Sequence, residues 1–356
     1  MSLEHADRDN STAEDSTALE AILIGPQLER LCDEFGLTPG ELEPDFTGWS
    51  KHIIKSPDRV FLFPRHPKYQ CSLNVELGLY RLFSEMDQLP VPRLVRAVEN
   101  RELSPHRFGV VTRLQGTLLG NIEHRLSASD YEEVLRTIGR LAAIWHNFQL
   151  GHESDFLKPL SQDFEGDHGD SYRWMYEALG TGSPGEAPDL IASSVRELAT
   201  EGGTEDFSEL NSVSTTGKWR RLLSELSMMD DVLLHGDIHE DQILVRSERD
   251  LEVTGILDWG NAGVGNPALE FNFGEWGAEI WRYRETFGKL REIIWGEYLN
   301  ARGLDGPSWE ALHILYTLQE LIWTMTARKP IGNEGGPYKS EVRRLLQALK
   351  DTTEVL

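Results

Sequence analysis

Two short segments around residue 240 constrain this chain more than anything else in it. The first is His235-Gly236-Asp237-Ile238-His239-Glu240-Asp241-Gln242, running into Ile243-Leu244-Val245. The second is Gly255-Ile256-Leu257-Asp258-Trp259-Gly260. The apolar runs Val232–Leu234, Ile243–Val245 and Val253–Leu257 read as short strands, which hold the polar residues beside them in fixed places. Asp237 is followed five positions later by the amide of Gln242 and twenty-one positions later by Asp258.

That set of oxygen groups suits phosphoryl transfer. A carboxylate on a rigid loop aligns an attacking hydroxyl and receives its proton. An amide oxygen and a second carboxylate suit Mg2+, which takes hard oxygen ligands and few protein groups. Asp237 is therefore the candidate catalytic residue, and Asp258 and Gln242 are the candidate metal ligands. A loop aspartate on its own more often bonds its own backbone; the combined spacing favours the chemical reading. His239 and Asp241 are adjacent alternatives for phosphate or metal contact.

The chain before this region is mixed. Leu19–Phe35 carries apolar residues at helical spacing. Thr47-Gly48-Trp49-Ser50 reads as a tight loop. Lys51–Ile54 and Val60–Phe63 are predicted to form a hairpin around the turn Ser56-Pro57-Asp58. Ser72–Met86 reads as a helix stopped by Pro90 and Pro92, and Phe108–Val111 as a further strand, with Leu114–Gly116 as a connector. From about residue 117 the pattern turns helical. Ser129 and Glu132 form a predicted capping box. Tyr131, Val134, Leu135, Ile138, Leu141, Ala142 and Trp145 then make one apolar stripe. Residues 150–230 are less regular, and Gly, Ser, Asp and Glu are frequent at 180–217, which predicts a long loop or lid there. Beyond Pro267 the helical pattern returns through Trp281, Phe287, Ile293, Trp295, Tyr298, Leu315 and Trp323.

These elements add up to an α+β, bilobal architecture. Residues 1–18, polar and acidic, are expected to be a mobile tail. Residues 19–116 form a small lobe of mixed sheet and helix, and 117–356 a larger, mainly helical lobe.

The same residues resemble the aminoglycoside phosphotransferase-like family of small-molecule kinases, which has a protein-kinase-like fold. The resemblance runs from about Gly48 to about residue 330. His235-Gly236-Asp237 with Gln242 is similar to the family's catalytic loop, and Leu257-Asp258-Trp259 to its metal-binding motif. Glu76 in Asn74-Val75-Glu76-Leu77 is similar to the helix glutamate of the small lobe. Leu89-Pro90-Val91-Pro92 and Leu141–His146 also read like family segments. Gln242 departs from the pattern, which has asparagine there.

The resemblance implies ATP or GTP as co-substrate, bound with Mg2+ between the lobes, with Leu114–Gly116 as the hinge and Gln115 at the nucleotide. It implies that Thr47–Ser50, including Ser50, covers the phosphates with backbone N–H groups. It also implies a cation, paired with Glu76, that holds the α- and β-phosphates. The family position for that cation falls on Leu62, which is apolar, so Arg65, Lys51 and Lys55 are the candidates. The acceptor is implied to be a hydroxyl of an aminoglycoside, a macrolide or a related metabolite, resting against residues 150–230 and 267–330. The alternative is a non-catalytic or weakly active kinase-fold binding protein, for which Gln242 and the missing strand lysine argue.

Composition narrows the partners. The net charge of −24 over 356 residues repels nucleic acid and anionic membranes, and it reads as general solubility or salt adaptation more commonly than as a lean toward a cationic acceptor. No apolar run approaches the length of a membrane span. Two cysteines without metal-ligand spacing fit a reducing cytoplasm rather than a disulfide framework. No His-Glu-x-x-His or Gly-x-Ser-x-Gly pattern supports zinc or serine hydrolysis. Phe271, Phe273, Trp276, Trp281 and Tyr283 form an aromatic run that lines an acceptor pocket or, more commonly, packs a core. Glu270 and Glu275 within it read either as partners for an amine or as a solvated helix face.

Overall fold

The computed structural model describes residues 25–45, 48, 50–149, 151, 155–157, 217–271, 284–307, 309–313, 315–317 and 347. The chain divides into two compact units. The first comprises Met1–Thr117 and Leu244–Asn261, the second Leu118–Ile243 and Ala262–Leu356. The segment carrying Asp258 therefore belongs with the N-terminal residues, an excursion that a contiguous reading of the sequence does not give.

The first unit holds helix α1 (Gly25–Phe35), strands β1 (Glu43–Asp45), β2 (Lys51–Lys55) and β3 (Arg59–Pro64), helix α2 (Gln70–Leu82), and strands β4 (Leu94–Val98) and β5 (Phe108–Thr112). The strands make one antiparallel sheet in the order β1-β2-β3-β5-β4. Alternation along each strand gives the sheet two faces. Ile54, Phe61, Phe63, Phe108 and Val110 point one way and pack with Leu31 and Cys32 of α1. Ile53 pairs with Leu62, and Leu62 with Gly109, on the other face. Gly109 gives Leu77 of α2 its room, because a Cβ would run into that side chain and force it to shift. Lys51 opposes Pro64 and shares the parity of Ile53 and Leu62, so the register turns it toward α2. Helix α2 stops at Leu82 and tightens into a 3-10 turn, Phe83–Glu85, one residue short of the predicted Met86.

The second unit holds helices α3 (Ala128–His146), α4 (Gly217–Ser227) and α5 (Arg284–Arg302). It also holds a two-stranded antiparallel ribbon of Val232–Leu234 and Gly263–Gly265. The cap of α3 corrects the sequence reading. Ser127, not Ser129, stands outside the first turn, and its hydroxyl accepts the Asp130 N–H at 3.2 Å. Ser127 has extended backbone whereas Ser129 is already helical, so only Ser127 can turn its side chain back onto the free amides. Val134, Leu135, Ile138, Leu141, Ala142 and Trp145 are buried as the stripe predicted, and α3 packs on α5. Gly139 permits the close approach, since a Cβ there would lie 2.7 Å from the Ile294 carbonyl.

Helix α4 begins where the expected loop or lid at 180–217 ends, within the stretch 150–230 that reads as less regular. Its buried Leu222 and Leu226 show why it is ordered as a helix. The remainder of 150–216, apart from residues 151 and 155–157, lies outside the described residues, as do Phe273, Glu275, Trp276, Trp281, Tyr283 and Trp323. Cys32 is buried, Cys71 is exposed, and both are free. No described helix is long and apolar enough to cross a membrane.

Candidate active site

Three charged side chains from distant parts of the first unit meet at one point. The Lys51 ammonium donates to Glu76 Oε2 at 2.6 Å and to Asp258 Oδ1 at 2.5 Å. Lys51 and Glu76 are 5% and 2% exposed. Burial alone would push the Lys51 ammonium down, but the two carboxylates outweigh it and raise it above its ordinary value. Lys51 is therefore a fixed cation. Of the three candidates, the structure brings Lys51 to Glu76 and not the others. Lys55 shares its parity but pairs with Asp45 at 2.8 Å. Arg65 is exposed beyond the end of β3, and its backbone N–H bonds the Ser50 carbonyl at 2.9 Å. Ser50 thus closes the open end of the hairpin through its backbone. Thr47 and Trp49 lie outside the described residues. Gln115 is exposed, and its carbonyl accepts the Thr254 hydroxyl at 2.7 Å.

Asp258 is the one non-glycine among the described residues with positive φ, at 59°. Its neighbours hold it there. Trp259 is fully buried, with its ring 4.8 Å from that of Phe83 in an edge-on contact. Gly260 lies against Ser72, whose hydroxyl would have to turn away to admit a Cβ there. The Ile256 N–H bonds the Pro90 carbonyl at 2.7 Å. The Asp258 side chain stays 37% exposed, which leaves a carboxylate accessible to a cation.

The second unit builds the Asp237 loop. Glu270 is its anchor, and the sequence reading missed that role. Rather than facing solvent or an amine, Glu270 is 2% exposed. It accepts the backbone N–H of His235 at 2.7 Å and of Gly236 at 3.3 Å. Trp145 Nε1 and His146 Nε2 each lie 3.1 Å from its Oε2. Burial pushes the Glu270 carboxyl up, but the hydrogen bonds from His146 and the His235 backbone hold it below its ordinary value. Burial keeps His146 neutral, so its Nε2–H donates to Glu270 and its Nδ1 accepts the Tyr298 hydroxyl at 3.0 Å. The signal available in the sequence was position. Glu270 sits between Leu269 and Phe271, both buried, directly after the ribbon.

Gly236, at φ 80°, turns the chain so that Asp237 follows it half-buried at the head of the loop. The Gln242 amide lies 3.2 Å from His239 Nε2, and His239 Nδ1 accepts the Asp241 N–H at 3.3 Å. The donors suit Mg2+: Asp258 offers an accessible carboxylate and Gln242 an amide, both oxygen ligands. Among the described residues no cluster of three or more His, Cys, Asp or Glu is spaced to hold a metal.

Glu240 stands apart. It is 2% exposed, and neither carboxylate oxygen has a hydrogen-bond partner in another described residue. Burial, helped by the charge of Asp241, pushes it up to about 7. The unfolded chain releases this proton near 4.5 and the folded chain near 7, so stability falls as pH rises through that window and stays level above it. Glu240→Gln should remove the loss. The variant should match the wild type at pH 4.5 and exceed it at pH 8 by roughly 2–3 kcal/mol. Urea unfolding at both pH values checks this; an equal difference at the two contradicts it.

Comparison with known proteins gives the family and the fold. The model of the Phosphotransferase enzyme family matches residues 51–313, more than half of the chain, and the protein belongs to that family. The GDP and kanamycin complex of aminoglycoside phosphotransferase APH(2'')-IIIa superimposes with a TM-score of 0.51 and 15% identity, covering 96% of this chain and 98% of that one. ADP-bound APH(2'')-Ib gives 0.50 and 15%, covering 93% and 99%. Macrolide 2'-phosphotransferase MphH from Brachybacterium faecium gives 0.48 and 15%, covering 92% and 97%. Comparison with curated proteins gives no match. The fold is protein-kinase-like and α+β, and the family to which the protein belongs is one of phosphotransferases.

Proposed function

We propose that this protein moves the γ-phosphoryl group of ATP or GTP to a hydroxyl of a small acceptor, an aminoglycoside, a macrolide or a related metabolite. The observation that carries the reading is the junction of Lys51 with Glu76 and Asp258. A buried ion pair is costly to maintain and contributes little net stability compared with apolar packing. Its retention beside an accessible carboxylate fits a site for polyphosphate and Mg2+. Lys51 is the cation for the α- and β-phosphates, and Glu76 orders it. Asp258 and Gln242 hold Mg2+, which supplies charge neutralisation on the phosphates.

Asp237 accepts the proton of the acceptor hydroxyl and aligns it for in-line attack. Its loop is rigid because Glu270 takes two successive backbone N–H groups, so little reorganisation accompanies reaction. The reading as a non-catalytic binder loses one of its two supports, since Lys51 supplies the cation that the Leu62 position lacks. The net charge of −24 favours an acceptor that carries amines. We place the enzyme in the cytoplasm, where both cysteines stay as thiols.

The test is a panel of hydroxylated amines and macrolides incubated with ATP or GTP and Mg2+, read by mass spectrometry for gain of one phosphoryl group. One or more acceptors should gain it, at a rate that depends on Mg2+. Failure across the panel, together with no Mg2+-dependent nucleotide hydrolysis, would return the protein to the binding class.

A further inference from the structure

Building on the roles proposed above for Lys51 and Asp258, we propose that the ion pair between them is a latch: it keeps a divalent cation off the Asp258 carboxylate until the phosphates of a nucleotide draw the ammonium away. Metal and nucleotide then enter together, and neither enters well alone. The Lys51 ammonium donates to Asp258 Oδ1 at 2.5 Å. Asp258 is also the carboxylate that the metal needs. An ammonium and a divalent cation on one carboxylate lie close together and repel, whichever oxygen the metal takes. The ammonium does not yield by losing its charge, because the carboxylates of Asp258 and Glu76 outweigh its burial and hold its proton.

The two partners of Lys51 differ in a way that suits an exchange. Glu76 is 2% exposed; its Oε2 accepts from Lys51 at 2.6 Å and its Oε1 accepts the Tyr80 hydroxyl at 2.9 Å. It is the partner that stays. The Asp258 side chain is 37% exposed and is the one that a ligand reaches. A phosphate oxygen that replaces Asp258 at the ammonium leaves Lys51 with two anionic partners before and after. The buried cation is then never stripped of its counter-charge, which is the costly event at such a site. Asp258 is left with its whole charge for the metal.

The moving part is the lysine. Asp258 is held at φ 59°, followed by the buried Trp259 and preceded by the Ile256 N–H bonded to the Pro90 carbonyl. Glu76 lies within helix α2. Lys51 begins β2, opposite Pro64, and its ammonium rides on a flexible four-carbon stem. Rotation of that stem swings the ammonium off Asp258 and leaves both backbones in place.

The test is Mn2+ binding to the full chain with no nucleotide present, read from the electron paramagnetic resonance signal of the free ion. Lys51→Met should bind Mn2+ about tenfold or more tightly than wild type, as release of a carboxylate from one charged hydrogen bond implies. Lys55→Met removes a cation of the same strand that pairs with Asp45 instead, and should leave the affinity near the wild-type value. Adding Asp258→Asn to Lys51→Met should abolish the gain. No gain in Lys51→Met overturns the proposal. So does an equal gain in Lys55→Met, which marks a general effect of charge, or a gain that survives Asp258→Asn, which seats the ion elsewhere. Should Lys51→Met fail to fold, Lys51→Met with Glu76→Gln, relieved of its stranded carboxylate, is read in the same way. Wild type that binds nucleotide with Mg2+, beside a Lys51→Met that gains nothing, loses the latch and keeps the functional reading. Wild type that binds neither nucleotide with Mg2+ loses the functional reading, and the latch with it.

Discussion

Asp237→Asn should lower phosphoryl transfer about a hundred- to ten-thousand-fold, the range by which a positioned proton acceptor contributes. Asparagine keeps the shape and loses the basicity. The loop around it should not move, because its fixing bonds lie elsewhere. The His235 and Gly236 amides are held by Glu270, and the Asp237 N–H is bonded to His235 Nδ1 at 3.3 Å. Nucleotide affinity should therefore stay near the wild-type value while turnover collapses. Rapid-quench measurement of transfer beside equilibrium binding checks the split. Parallel loss of both would make Asp237 a structural residue of the loop.

Lys51→Met should do the reverse. It removes the ammonium and leaves Glu76 buried beside Asp258 with no cation. Breaking a buried pair in this way costs about 3–5 kcal/mol, because an uncompensated charge remains. Burial already pushes the Glu76 carboxyl up. Without Lys51 it rises further and takes a proton as pH falls. The variant should accordingly recover part of its stability between pH 8 and pH 5. Adding Glu76→Gln should also recover part of it at pH 8 by removing the stranded charge. Denaturant unfolding of the single and double variants measures both effects. A single variant as stable as the wild type at pH 8 would mean that the ion pair is incidental. Nucleotide affinity should drop by about tenfold or more, the worth of a charged hydrogen bond.

The sequence made some parts of this site legible and hid others, for physical reasons. Asp237, Gln242 and Asp258 could be proposed from the sequence because each lies beside a short apolar strand whose pattern is local. Choosing among Lys51, Lys55 and Arg65 needed the sheet. Strand parity favours Lys51 and Lys55 over Arg65, and only the pairing of Lys55 with Asp45 singles out Lys51. Glu270 was misread because an acidic residue among aromatics looks like a solvated face. Its partners are backbone amides thirty-four and thirty-five positions away, which no local pattern records. The cap of α3 slipped from Ser127 to Ser129 because both precede an acidic residue by three, and only the backbone angles choose. Helix α4 was hidden by the polar composition around it, and two buried leucines were too few to signal it.

The fold class needed less. Hairpin, helix and strand in the first part, and helical stripes after residue 117, follow from periods of two and of 3.6 residues. The return of Leu244–Asn261 to the first unit is tertiary, and sequence order conceals it.

The central claim is that one group of residues holds the nucleotide and a separate one accepts the proton. Calorimetric titration of ATP and GTP with Mg2+ into wild type, Asp237→Asn and Lys51→Met tests it most directly. Wild type and Asp237→Asn should bind one of the nucleotides alike and only with Mg2+ present, while Lys51→Met binds about tenfold or more weakly. Equal affinity in all three proteins, or binding indifferent to Mg2+, would contradict it.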